Sequence, residues 1–287
     1  MRLRALLLGA AAALVAVAAQ AHEKPAWPAN WTQPTEPFHL ADNLYYVGSA
    51  GLSAWLLTTP KGHILIDAPM AENVPAIEAN IRKLGFRVED VKILLNSHAH
   101  FDHAAGLAAI KRDSGAQLAA AAGDVQQLQT GTYVGVETRA DLKFPPVKVD
   151  RVLKDGDTVS LGGVTLTARV TAGHSPGCTT WAFPLKVDGR TRQALYYCST
   201  SVALNRLAPK PQYPGIVDDY RKTFRTLEAT KADVFLAPHA EQFDLAEKRA
   251  RLKPGRPNPF VDPTELQRIV AESKADFEAA CAKQGCK

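Results

Sequence analysis

Two rhythms of apolar residues run along the chain. Leu44 to Val47, Ala54 to Thr58 and His63 to Asp67 are short apolar stretches set off by turn residues, and they read as strands. Val91 to Leu95 is apolar almost throughout, as a buried strand is, and Gln117 to Ala121 reads as another strand. Val74, Ile77, Ile81 and Leu84 fall at helical spacing and predict a helix over 74–84; Ala104 to Lys111 reads as a second helix. Val152 to Val170 alternates and is interrupted by two turn signals, Asp155-Gly156-Asp157 and Gly162-Gly163. Thr180 to Phe183 and Ala194 to Tyr197 predict a strand pair about a turn at Asp188-Gly189. Val217 to Leu227 predicts a helix, Val234 to Ala237 a strand and Thr264 to Ala280 a final helix. His22 to Pro37, rich in Pro and Trp, reads as an irregular arm, and Gly131 to Pro146 as a loop. Strands come in runs with helices between them, which predicts a layered α/β architecture and not a regular βαβ repeat. At 287 residues the chain suits one large domain.

The first residues follow a different pattern. Arg2 and Arg4 precede an apolar run from Ala5 to Ala19, and Ala19-Gln20-Ala21 offers a small-x-small cleavage site. This is the layout of a secretory signal peptide. The run is short for a membrane span, and no basic stop-transfer flank follows it. The expectation is cleavage after Ala21, a mature domain over 22–287, a periplasmic location and no membrane contact afterwards. Removing the leader takes two arginines from the net charge of +5, leaving 32 basic against 29 acidic residues, or +3. That mild charge, without any Lys/Arg run interleaved with aromatics, gives no argument for a nucleic-acid partner, and none is expected. Four cysteines in an oxidising compartment suggest two disulfides.

The chemistry concentrates in one segment. Three of the eight histidines, His98, His100 and His103, share six residues with Asp102. The segment lies between the strand Val91 to Leu95 and the helix predicted from Ala104, in a loop where side chains can converge. Imidazole and carboxylate are the ligands zinc favours outside thiolate sites. Four such groups are too many for a single catalytic zinc that keeps an open position, so the count points to two metals. His174, in Gly173-His174-Ser175-Pro176-Gly177, and His239, after Pro238, follow strands and are the natural completing ligands. His22, His39 and His63 are isolated and read as surface or hydrogen-bonded residues.

These motifs, together with Gly62-His63-Ile64-Leu65-Ile66-Asp67, resemble the metallo-β-lactamase superfamily from Phe38 to the C-terminus. The resemblance implies an αββα sandwich with a metal site at one edge of its two sheets. It implies two zinc ions, the first held by His98, His100 and His174, the second by Asp102, His103 and His239. Asp67 matches the family's acid that orients ligands from behind.

The branch is read from Tyr196-Tyr197-Cys198-Ser199-Thr200-Ser201. Glyoxalase-, lactonase- and ribonuclease-like members place a metal-bridging Asp here, but this chain has no Asp or Glu between Asp188 and Asp218. In the first subclass of class B lactamases a cysteine in this region is a ligand, which is one reading of Cys198. Members that use it carry another residue at the position of His103. Cys178, at the head of the strand that pairs with the one ending at Cys198, offers the other reading, a disulfide, which is favoured. The pattern, with Tyr213-Pro214 and Asp218-Asp219-Tyr220-Arg221, is similar to the third subclass. There, Ser residues matching Ser199 and Ser201 lie near the second zinc and hold the substrate carboxylate. Cys281 and Cys286 depart from that subclass, since they can only pair locally or stay free. The function implied is hydrolysis of small-molecule β-lactams by a monomer, with activated water attacking the lactam carbonyl and Asp102 as the catalytic residue. The alternative is a related exported di-zinc hydrolase of an ester, thioester or lactone. Tyr133, in the loop Gly131 to Pro146, is a candidate apolar contact in the groove.

Overall fold

The computed structural model describes residues 27–286. The leader assigned to 1–21, its cleavage site and His22 lie outside the described residues. A first sheet holds β1 (Phe38–Ala41), β2 (Leu44–Tyr46), β3 (Trp55–Thr59), β4 (Gly62–Ile66), β5 (Val91–Leu95), β6 (Gln117–Ala121) and β7 (Arg151–Leu153), paired in chain order. A second holds β8 (Thr158–Leu161), β9 (Val164–Val170), β10 (Thr179–Val187), β11 (Arg190–Tyr196) and β12 (Val234–Leu236), with β12 beside β11.

The two-residue period of the strands builds the layers. In β4, Ile64 and Ile66 join the core shared by both sheets, whereas Leu65 joins a second core. In β3, Trp55 and Leu57 point one way and Leu56 the other. The second core lies against α1 (Val74–Lys83), through Ile77 and Ile81, and α3 (Leu107–Ser114), through Leu107 and Ile110. On the far side, α5 (Ile216–Glu228) and α7 (Glu265–Gln284) pack onto the second sheet through Tyr220, Phe224 and Phe277. The expected αββα sandwich is the result. Burying Ile64, Ile66 and Phe183, all at most 1% exposed, contributes roughly 1.5–3 kcal/mol apiece. No helix among the described residues is long and apolar enough to cross a membrane.

Several details depart from the sequence reading. The helix expected from Ala104 to Lys111 is broken. It is preceded by α2 (Phe101–Ala104) and resumes as α3 only after Gly106, whose N–H is taken by the carbonyls of Ala68 and Pro69. His63 lies inside β4 as the predicted strand places it, but buried opposite Val91 and not at the surface. The turn Asp155-Gly156-Asp157 does more than join neighbouring strands, because β7 belongs to the first sheet and β8 and β9 to the second. The hairpin at Asp188-Gly189 is longer than expected, with Val187 opposite Arg190 and both turn residues at positive φ, 51° and 76°, as a type I′ turn requires. Strand β1 and helices α4 (Val125–Thr130) and α6 (Leu245–Arg251) were not anticipated.

Strand direction places the site. β4, β5 and β6 are parallel, so the residues that follow them, Asp67, His98 to His103 and Asp124, gather at one end. In the second sheet β12 runs parallel to β11, bringing His239 level with Ser199 and Ser201.

Candidate metal centre

Six side chains converge there as two triads. His98, His100 and His174 form one, and Asp102, His103 and His239 the other; within each, the potential ligand atoms lie within 4.8 Å of one another. The triads rise from three loops. His98 to Asp102 cross from β5 into α2, with Asp102 and His103 on its first turn. His174 sits between β9 and β10, and His239 follows β12.

Hydrogen bonds fix which ring nitrogen faces inward. A carbonyl can only accept, so His174 Nδ1 donates to the Ser201 carbonyl at 2.8 Å and its Nε2 is left as a lone pair. That Nε2 faces His98 Nε2 at 3.1 Å, and His103 Nε2 faces His239 Nε2 at the same distance. Tetrahedral zinc with bonds of ~2.0–2.1 Å sets its ligand nitrogens about 3.3 Å apart, so the spacing fits such an ion. Between His98 and His174, two imidazole lone pairs aimed at each other in a buried place repel unless a cation lies between them.

Electrostatics agrees with that fit. Burial, reinforced by the neighbouring imidazoles, holds His98 and His100 well below the ordinary histidine range. Burial likewise lowers His174 to about 4. All three are therefore neutral ligands at neutral pH. Burial works against ionisation of Asp102 too, but the charge and hydrogen bonds of His103 and His239 outweigh it and hold the carboxyl well below its usual range. His103 loses by burial and gains more from Asp102, for a net rise. The Asp102 carboxylate lies 3.2 Å from His103 Nε2 and 3.5 Å from His239 Nε2. The first triad thus offers neutral imidazoles, and the second adds a carboxylate, Asp102.

Asp67, the residue after β4, is fully buried behind the triads at a positive φ of 61°, a region aspartate tolerates better than most residues. Its carboxylate accepts from Asn96 Nδ2 at 2.9 Å, the Ser97 N–H at 2.6 Å, the Ser97 hydroxyl at 2.7 Å and the Tyr196 hydroxyl at 2.7 Å. Ser97 Oγ is also 3.0 Å from His98 Nδ1, so Asp67 reaches a triad through one hydroxyl.

Cys178 and Cys198 are joined in a disulfide, with Cα atoms 5.8 Å apart, and Cys198 Sγ sits 3.6 Å from His98 Nδ1, beneath the first triad. Cys281 and Cys286, left open by the sequence, are also bonded. Ser199 is buried and Ser201 exposed, and both line a cleft of about 350 Å³ above the triads. Ser201 Oγ lies 3.3 Å from His174 Nδ1. His39 stands apart, bonded to the Asp42 carbonyl.

The arm before Phe38 carries more than the sequence indicated. Trp27 and Trp31 stack at 5.7 Å, Trp31 contacts the His239 ring at 5.3 Å, and Trp27 packs on Phe101. They form one wall of the cleft; Tyr133, its ring 4.2 Å from that of His100, and Leu142 form another. Tyr133 is thus packed against a candidate ligand as well as lining the cleft. Asn205, Tyr196 and Asp124 were also missed. Asn205 donates to the carbonyl of His174, and Asp124 follows β6 much as Asp67 follows β4. An acid just past an apolar run was the one signal that could have found Asp124.

Comparison with known proteins agrees with this arrangement. The sequence profile of the metallo-beta-lactamase superfamily matches residues 50–239. The subclass B3 metallo-beta-lactamase BJP-1 of Bradyrhizobium japonicum is 49% identical, over 90% of this chain and 97% of that one, with a TM-score of 0.88. The FEZ-1 metallo-beta-lactamase of Legionella gormanii is 41% identical, over 91% of this chain and 100% of that one, with a TM-score of 0.86. A hydroxyacylglutathione hydrolase of Hyphomonas neptunium is 31% identical over 121 residues, 42% of this chain and 38% of that protein. The match to the curated relatives spans between 34% and 42% of their length. Fold, buried triads and sequence profile together make this chain a member of the metallo-β-lactamase superfamily.

Proposed function

We propose that the chain is a two-zinc β-lactamase that hydrolyses the amide of bicyclic β-lactam antibiotics. The observation that carries this reading is the segment after β11. It offers the hydroxyls of Ser199 and Ser201 to the cleft; Cys198 is engaged in a disulfide, and no Asp or Glu occurs between Asp188 and Asp218 to bridge two metals. The similarity to subclass B3 enzymes supports it. The missing bridging acid weighs against the thioester chemistry named for the hydroxyacylglutathione relative.

His98, His100 and His174 would hold one ion, and Asp102, His103 and His239 the other. When bound, the pair of ions would activate water at neutral pH and offset charge on the carbonyl oxygen and the leaving nitrogen. Asp102, ionised, would orient the attacking water and relay its proton to the leaving nitrogen as the C–N bond breaks. Ser199 and Ser201 hydrogen-bond the carboxylate of the substrate. Trp27, Trp31, Phe101 and Tyr133 give the cleft apolar walls that exclude bulk water and strengthen each polar contact inside. The leader over 1–21 would deliver the domain 22–287 to the periplasm, where it would act as a monomer on diffusible drug.

A substrate panel tests the reading. Purified protein should hydrolyse nitrocefin, a penicillin and a carbapenem with chelator-sensitive turnover, and hydrolyse S-lactoylglutathione at least a hundredfold more slowly in kcat/KM. The reverse order would replace the β-lactamase reading with a thioesterase.

A further inference from the structure

Asp124 stands on the turn between β6 and α4, is not one of the six triad residues, and is 1% exposed. Four donors surround its carboxylate. Oδ2 accepts from the Ala99 N–H at 2.9 Å and from the Ser175 hydroxyl at 2.8 Å. Oδ1 accepts from the Gly177 N–H at 2.7 Å and from Gln127 Nε2 at 2.9 Å. Ala99 lies between His98 and His100, and Ser175 follows His174. Three of the four bonds therefore tie together the two loops that carry the first triad, and none reaches Asp102, His103 or His239. The packing is equally specific. A Cβ at Gly177 would fall 2.4 Å from the Asp124 nitrogen, and one at Gly123 would fall 2.3 Å from the Pro176 carbonyl. Only glycine at both places lets the turn bearing Asp124 seat against the turn bearing His174.

We infer that Asp124 is a positioning residue for the first metal site: it clamps the loop of His98 and His100 to the loop of His174, and so sets the affinity of that site without setting that of the second. The inference rests on the two-metal reading above. The physical reason is preorganisation. The three histidines come from two loops separated by more than seventy residues, and their nitrogens must be held together before an ion arrives. A single buried carboxylate with its four acceptor sites filled does this at fixed geometry. Asn at this position keeps the volume but replaces one acceptor oxygen with a donor group that faces existing donors, so at least one loop loses its tie.

The test is competitive titration of the metal-free protein with Co(II) or Zn(II) against a chromophoric chelator, for the parent, Asp124→Asn and Ser175→Ala. Circular dichroism and thermal melts of the metal-free forms accompany it. The parent should bind two equivalents. Asp124→Asn should lose roughly 10- to 100-fold in affinity for one equivalent while the other stays within threefold, in the range typical for partners that orient ligands from behind. Ser175→Ala, which removes one donor and leaves the carboxylate, should fall between them. The Co(II) absorption retained by Asp124→Asn at one equivalent should match that of a His174→Ala variant, whose first site is disabled. Equal weakening of both equivalents in Ser175→Ala and Asp124→Asn would mean a general structural role and overturn the inference. So would unchanged affinity in both. A parent that binds fewer than two equivalents would instead overturn the two-metal reading. If Asp124→Asn does not fold, Ser175→Ala decides: selective weakening of one equivalent supports the clamp, and anything else refutes it.

Discussion

Tyr196→Phe tests the buried network behind the triads. The substitution removes one atom. Tyr196 is 0% exposed, and its hydroxyl donates to Asp67 Oδ2 at 2.7 Å, one of four bonds to that carboxylate. A hydrogen bond to a charged group is worth about 1.5–3 kcal/mol, and the ring packing is unchanged. At about 2–4 °C per kcal/mol for a domain of this size, Tm should fall by roughly 3–12 °C at pH 7.5. The pH dependence has a defined sign. Burial raises the Asp67 carboxyl above its ordinary value, against the charge of His103 and the hydroxyls of Tyr196 and Ser97 that favour ionisation. A carboxyl whose folded pKa is raised contributes stability that is present when it is protonated, below the unfolded pKa, and lost as pH rises through the folded pKa. Removing a donor raises it further, so the variant loses more at pH 7.5 than at pH 5. A neutral carboxyl still accepts a weaker bond, so the deficit should shrink toward about 1 kcal/mol in acid. Differential scanning calorimetry of parent and variant, both metal-free, across pH 5 to 8 is the assay. A Tm difference under 1 °C at pH 7.5, or one that grows on acidification, would refute the reasoning.

Three further outcomes follow from the same geometry. Replacing Cys178 and Cys198 together by Ala opens a loop of 20 residues, which should cost about 3 kcal/mol in urea denaturation, with the metal count still two; a count of one would make Cys198 a ligand. Ser201→Ala should raise KM for carboxylate-bearing β-lactams about fivefold, on the order of 1 kcal/mol, with kcat within twofold; an unchanged KM with collapsed kcat would put Ser201 in the chemistry. His239→Ala should lower metal content to one equivalent, whereas His63→Ala, buried in β4 against Phe86, should lower Tm and leave two; equal metal content in both would remove His239 from the second site.

What could be read in the sequence was what local chemistry determines. β5 and β6 match the predicted strands to the residue because both are short, nearly continuous apolar runs, broken only by the exposed Lys92 and Gln117. The six triad residues were legible because four of them share one short segment. What was not legible depends on distant partners. The break between α2 and α3 arises where Gly106 bonds to the carbonyls of Ala68 and Pro69, nearly forty residues earlier. The switch of sheets between β7 and β8 leaves a turn signal like any other. α4 has six residues and buries only Gln127 and Leu128, too few to show a period. Trp27 and Trp31 acquire a role only when the arm folds back over His239 and Phe101. Asp124 is one acid among 29 acidic residues until the His174 turn is laid against it.

The central claim is that the six converging side chains form a two-metal centre that opens β-lactam rings. Stepwise addition of Zn(II) to metal-free protein, with nitrocefin turnover followed at each step, tests it most directly. The account predicts turnover that rises to a plateau at two equivalents per chain. A plateau at one equivalent, or no turnover at two, would contradict it.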